Sequence, residues 1–187
     1  MIDPASTQIP VANAPVTRFT LTGDVMLGRG IDQILPHPSP AILHEPFAKS
    51  ALLYVSLAEK RNGAVPRPVP YSYVWGDAIE DLAIRGPDLR IINLETAITK
   101  AWTPAPLKGI HYRMNPANLP VLQAAGIDCC VLANNHVLDW GRAPRSGCLH
   151  RDMTAQIIRR RRMCAMAFYP ARKSCNETGS GNYALCA

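Results

Sequence analysis

The sequence predicts an α/β fold with a mostly parallel sheet, and two observations carry that expectation. Short apolar runs and helical segments follow one another in the order strand, helix, strand across residues 18–133, the pattern of sheets whose strands are joined by crossover helices. Three of the runs stop at clusters of Asp, Asn, Glu or His, and in open α/β sheets ligands gather at the carboxyl ends of strands. Hydrophobic residues make up 48% of the 187-residue chain, enough for a core and too much for wholesale disorder.

Residues 1–16 form a Pro/Ala-rich lead-in. RFTLTGD, residues 18–24, alternates apolar and polar side chains and ends in Gly-Asp, which predicts a strand entering a turn. A helix is expected to begin within residues 25–33 before the prolines at 36, 38 and 40 interrupt it. A second helix is expected over residues 48–60, where Ala51, Leu52, Val55, Leu57 and Ala58 recur at helical spacing. Prolines 66, 68 and 70 end it and open an extended linker. Asp77 stands where an N-cap would for a short helix that stops at Gly86-Pro87.

DLRIINLE, residues 88–95, reads as a buried parallel strand that delivers Asn93 and Glu95 to one face, because they are two residues apart. Residues 96–109 read as a loop. A helix over residues 118–125 is expected to end at Gly126, and IDCCVLA, residues 127–133, to form a third buried strand in which Cys129 and Cys130 are buried. That strand runs into Asn134, Asn135 and His136.

A two-metal hydrolytic centre needs a bridging carboxylate, further oxygen or nitrogen ligands, and a proton donor for the leaving oxygen. Glu95 suits the bridge, Asp24 and Asn135 suit one ion each, and His136 suits the donor. Each residue also has a structural reading. Asp24 is a candidate cap, the Asn pair a candidate turn, and His136 a candidate satisfied histidine. Glu95 is harder to read that way: a buried carboxylate is costly unless paired, and no Arg or Lys adjoins it in sequence.

GDVMLGRG, YVWGDAI, IINLETAIT, KGIHYRMNPAN and LANNHVLDWG, in that order, resemble the poly-γ-glutamate capsule biosynthesis (CapA-like) family over about residues 18–142. The resemblance implies a calcineurin-like metallophosphatase α/β/β/α sandwich, of which this chain would hold the N-terminal portion. It also implies a divalent metal (Mn, Zn or Fe), dinuclear in the full-length family, with Asp24, Glu95 and Asn135 as ligands and His136 as the catalytic group. Arg29, Lys108, His111 and Arg113 would face an anionic small molecule or a polyglutamate chain, unless they are solvated loop charges. Met26 stands where the metallophosphatase pattern has a histidine, and thioether sulfur is a poor ligand for hard ions. Beyond residue 142 the only histidine is His150. Three ligands are too few for two ions, so the expected function is a capsule biosynthesis protein with a hydrolase site that is inactive as it stands. The alternative is a non-catalytic polyanion-binding or assembly component.

Charge divides the chain at the same place. Residues 1–143 carry 12 basic and 12 acidic residues, whereas residues 144–187 carry 8 and 2, which accounts for the whole net charge of +6. Four of the six cysteines also lie in that tail. The coincidence predicts that a truncated domain over residues 17–143 is followed by a frameshifted or disordered tail over 144–187, with at most a short helix near residues 153–166. The run Arg159 to Arg162 is too small a basic patch to predict nucleic-acid binding. No apolar run reaches the ~18–20 residues of a membrane span. The start lacks the basic and apolar regions of a secretory signal, so a cytoplasmic location is expected for the chain as given.

Overall fold

The apolar runs build one parallel sheet. In the computed structural model, residues 16–141 are described, together with the backbone of 164–166. Strands β1 (Phe19–Val25), β2 (Leu89–Leu94), β5 (Cys129–Val131) and β6 (Cys164–Met166) lie in the order β1-β2-β5-β6, and every neighbouring pair is parallel. This is the expected mixed α/β class. The two-residue period of β2 sends Ile92 and Leu94, 1% and 0% exposed, into the core. Asn93 and Glu95 therefore fall on the other face. Cys130 and Leu132 join Ile92 and Leu94 in one apolar cluster, each large side chain there contributing roughly 1.5–3 kcal/mol of burial.

The first helix begins within the expected residues 25–33. Val25 still belongs to β1, Gly28 is extended, and α1 spans Arg29–Ile34. Gly28 marks a close approach: a Cβ there would lie 2.7 Å from the carbonyl oxygen of Arg113, so only glycine fits. Helix α2 (Leu52–Asn62) buries Val55 but leaves Leu52 and Leu57 exposed, so the apolar stripe expected over residues 48–60 is only partly covered. The proline-rich linker is pinned to the core. Val69 is 2% exposed and its N–H donates to the Ile34 carbonyl at 2.9 Å.

Helix α3 (Ala78–Arg85) starts after Asp77 as expected, but the Asp77 side chain makes no capping hydrogen bond. An Asp81–Arg85 pair at 2.7 Å spans one turn instead, and Gly86 ends the helix in the left-handed region. The helix expected over residues 118–125 is divided into a 3-10 turn, Pro116–Asn118, and α4 (Pro120–Ala124). Asn115 caps the turn by accepting from the Ala117 N–H at 3.0 Å. Within the expected loop lies β3 (Ala97–Ile98), which pairs in parallel with β4 (Arg113–Met114) in a second small sheet. Two residues are too few for a period to show in sequence. Residues 1–15 of the lead-in and the tail's arginine run lie outside the described residues; where the short helix near 153–166 was expected to end, residues 164–166 instead extend the sheet beside β5. Among the described residues no helix is long and apolar enough to cross a membrane.

A buried carboxylate joins the two halves of the chain. Asp32, 1% exposed, accepts from the Ser39 N–H at 2.6 Å, the Asn115 N–H at 2.9 Å and the Asn118 amide at 2.9 Å. Asn118 in turn brackets His37 through both its amide oxygen and nitrogen. Asp32→Ala leaves three buried donors without an acceptor and should lower stability by about 2–4 kcal/mol, read as a lower urea midpoint with an unchanged denaturant slope.

Candidate functional site

Three strand ends meet. The register sets Asp24 of β1 opposite Asn93 of β2, and the Asn93 amide donates to Asp24 Oδ1 at 2.6 Å. Asn134, just past β5, donates from its amide to Asn93 Oδ1 and to the Leu94 carbonyl, both at 3.0 Å, and its own Oδ1 accepts from the His136 N–H at 3.0 Å. A chain of side-chain amides thus fixes the spacing of the ends of β1, β2 and β5. Glu95 leaves β2 on the same face as Asn93, with the Asp24 carboxylate near enough to act on it. Burial of Glu95, followed by its contact with Asp24, holds its pKa above the ordinary 4.5, against the opposing pull of His136.

His136 is clamped on three sides. Its Nδ1 lies 2.6 Å from Asp139 Oδ2, its ring stacks on Tyr112 with centroids 4.0 Å apart, and its Nε2 lies 3.7 Å from Glu95 Oε1. The carboxylate acceptor assigns the ring hydrogen to Nδ1 and leaves Nε2 as the reactive nitrogen. Asp139 is 0% exposed and also accepts from the Tyr112 N–H at 2.6 Å and from the Lys108 ammonium. Lys108 additionally donates to the Asn135 carbonyl.

The remaining expected residues have other surroundings. The Asn135 side chain sits on an exposed residue, and the amide that joins the strand ends is that of Asn134. His111 and Arg113 are buried. His111 Nε2 lies 2.8 Å from the Ala105 carbonyl, and the Arg113 guanidinium donates to Ala101 at 2.8 Å and Pro40 at 3.2 Å while lying 4.0 Å over the Trp140 ring. Arg29 contacts Glu45 at 2.5 Å between the rings of Tyr54 and Tyr112. Met26 accepts from the Gly28 N–H at 3.1 Å through its sulfur. Sequence reasoning missed Asp139 and Tyr112. Asp139 had a signal, the His-x-x-Asp spacing of a single tight turn; Tyr112 had none, because its partner is 24 positions away.

The donor set can be weighed against a divalent cation. Two carboxylates on one face, the proton affinity of one raised, offer the oxygen donors that suit a hard cation. Among the described residues no group of three or more His, Cys, Asp or Glu side chains is arranged to hold a metal, so the pair by itself is short of a dinuclear shell.

Comparison with known proteins adds to the geometry. A family model described as "Bacterial capsule synthesis protein PGA_cap" matches residues 18–155. The chain belongs to this capsule synthesis family. Two curated relatives, each a "Probable polyglutamine synthesis accessory protein" from Mycobacterium tuberculosis, strains CDC 1551 / Oshkosh and ATCC 25618 / H37Rv, are 48% identical over 129 residues, 69% of this chain. The match covers 34% of each relative, so the chain spans about a third of their length. Within the PGA_cap match fall all three strand ends and the His136–Asp139 turn.

Two outcomes follow from the site's electrostatics. A carboxyl whose folded pKa is raised contributes stability that is fully present below 4.5 and lost as pH rises through the folded value. Glu95→Gln should therefore melt higher than the native protein at pH 7, with the gap closing as pH falls below 4.5. Asp139→Asn keeps the shape but removes the charge facing Lys108 and disturbs the His136 contact, and should cost about 2–4 kcal/mol in chemical denaturation.

Proposed function

We propose that this chain carries the cation-binding and proton-donating part of a divalent-metal-dependent hydrolase acting in capsule or polyglutamate synthesis. The observation that carries the reading is the convergence of Asp24, Glu95 and His136 at the carboxyl ends of adjacent parallel strands, with His136 Nε2 3.7 Å from Glu95 Oε1. Asp24 and Glu95 would hold the ion, of which Mn, Zn and Fe are the candidates, and when bound it would supply Lewis acidity toward a substrate oxygen. The same convergence is what a metallophosphatase-like α/β/β/α sandwich would use, and that architecture is proposed for the longer form represented by the relatives.

The chain's own residues have defined tasks in this reading. Asp139 orients the imidazole and stabilises its protonated form, as a buried carboxylate does for a catalytic histidine. Tyr112 keeps the ring from rotating. With the Nδ1 hydrogen held by Asp139, Nε2, 3.7 Å from Glu95, would give the second proton of the doubly protonated ring to the leaving oxygen, a step worth about 10²–10⁴ in rate. The proposed substrate is a γ-glutamyl compound, in keeping with relatives named for polyglutamine synthesis, or a phosphoester, the other group that metal-assisted hydrolysis commonly cleaves. With two carboxylates as ion donors, hydrolysis by the 187-residue chain is proposed to be weak or absent while cation binding persists.

The second reading, a non-catalytic polyanion-binding component, would rely on Lys108 and Arg113. Both cations are already engaged, Lys108 by Asp139 and Arg113 by two carbonyls and Trp140, which favours the first reading.

Calorimetric titration of the chain with Mn²⁺ tests it. One equivalent should bind, with affinity at least tenfold weaker in Glu95→Gln and in Asp24→Asn. Equal affinity in all three proteins, or no binding to any, would sink the proposal.

A further inference from the structure

Tyr112 is the wall on which His136 stacks, so the placement of the imidazole depends on what holds the Tyr112 ring. The backbone of Tyr112 is fixed on both sides: its N–H donates to Asp139 Oδ2 at 2.6 Å and its carbonyl accepts from the Trp140 indole at 3.0 Å. Those bonds leave the side-chain torsions open to several rotamers, and the residue is half-buried. The ring is held by what lies against its faces. His136 covers one of them, with centroids 4.0 Å apart and planes 23° from parallel. An imidazole that close fills its face of the phenol, which puts the Arg29 guanidinium carbon, 4.6 Å from the same centroid, on the other.

Arg29 is itself fixed for this contact. It stands five residues past Asp24, and its backbone has φ +48°, a conformation uncommon for a residue with a side chain and kept where the surroundings over-determine it. The Tyr54 ring of α2 lies 5.0 Å from the guanidinium carbon. The Tyr54 hydroxyl donates to Glu45 Oε2 at 2.9 Å, while Glu45 Oε1 meets Arg29 Nη2 at 2.5 Å. The Glu45 side chain is fully buried and that of Arg29 is 14% exposed. A guanidinium with its charge met and a ring on either side supports a neighbour; it is not placed to receive an anionic substrate. Planarity matters here, because a guanidinium stacks on aromatic faces as a lysine ammonium cannot.

We propose that Arg29 is a positioning residue for His136: packed on the back of Tyr112, it fixes the ring that fixes the imidazole and so keeps Nε2 directed at Glu95. The inference rests on the reading of His136 as the proton donor and adds the residue that holds it. A reacting group has to be kept within about 0.5 Å of its productive geometry by side chains whose own rotamers are locked. The row Tyr54, Arg29, Tyr112, His136 does this from α2 to the strand ends. One segment of chain thereby serves both halves of the site, carrying Asp24 toward the ion and Arg29 behind the proton donor.

NMR of the whole chain, labelled in histidine and recorded at about pH 8.5, above the ordinary histidine range, tests this. The His136 ring signal is assigned by its loss in His136→Asn, and its displacement by the stacked phenol is the difference between the native protein and Tyr112→Leu. Arg29→Met should lose most of that displacement. Arg29→Lys should lose it as well, since it keeps the charge beside Glu45 without a planar group to lie on Tyr112. Tyr54→Leu, which leaves Arg29 and Glu45 in place, should lose a smaller part and serves if the Arg29 variants do not fold. A residue that merely stabilised the fold would lower the melting temperature and leave the ring signal where it is. Retention of the displacement in either folded Arg29 variant, its retention in Tyr54→Leu where neither folds, or no difference between native and Tyr112→Leu would overturn the proposal. The signal is read without the ion, so failure of Mn²⁺ to bind would count against the hydrolase reading alone.

Discussion

A single buried carboxylate organises the functional end of this molecule. Asp139 is fully enclosed and meets three different donors: the imidazole of His136, the backbone N–H of Tyr112 and the ammonium of Lys108. Enclosing a charge without partners is prohibitively expensive, so the loop that carries Tyr112 and Lys108 and the turn that carries His136 must close on it together. The Asp139 carbonyl adds a further tie by accepting from the Ala105 N–H at 2.7 Å. That closure stacks Tyr112 on His136 and faces the imidazole toward Glu95. The orientation of the candidate proton donor is thus a consequence of satisfying a buried charge.

The same solution recurs twice in the fold. Asp32 gathers donors from Ser39, Asn115 and Asn118, and Glu45 gathers Arg29 and Tyr54. Each is an acid from one local segment that collects partners from another. Glu45 differs in meeting side chains alone, the Arg29 guanidinium at 2.5 Å and the Tyr54 hydroxyl at 2.9 Å. The other pole of the molecule is less enclosed: Phe19 and Leu21 on β1 are 56% and 71% exposed, whereas parallel sheets are ordinarily covered on both faces.

Much of the fold was legible because it depends on short-range periodicity. The apolar run of β2 and its two-residue period put Asn93 and Glu95 on one face, and Gly86 marked the end of α3, where the structure shows it left-handed. The need for glycine at position 28 was not legible, because the Arg113 backbone that presses on it lies 85 residues away. Nor was β3, whose two residues form a strand only because β4 lies beside them. At the site, Asp24, Glu95 and His136 were legible as residue types at strand ends, and their convergence follows from strand order. Asn134 and Asn135 were not distinguishable in sequence. Only the folded turn shows that Asn134 reaches Asn93 and Leu94, while Lys108 takes the Asn135 carbonyl.

The sequence by itself determined the α/β class, the family, and which polar residues stand at the strand ends. Those features reside in local period and ordered motifs, and both survive without knowledge of any distant contact. Tertiary structure alone decided that Arg113 and His111 are enclosed by backbone carbonyls and aromatic rings, that Arg29 pairs with Glu45, and that Asp139 rather than a nearer neighbour orients His136. A charged side chain on a loop has no intrinsic direction. It is directed only when the donors and acceptors that compensate its burial arrive from elsewhere in the chain.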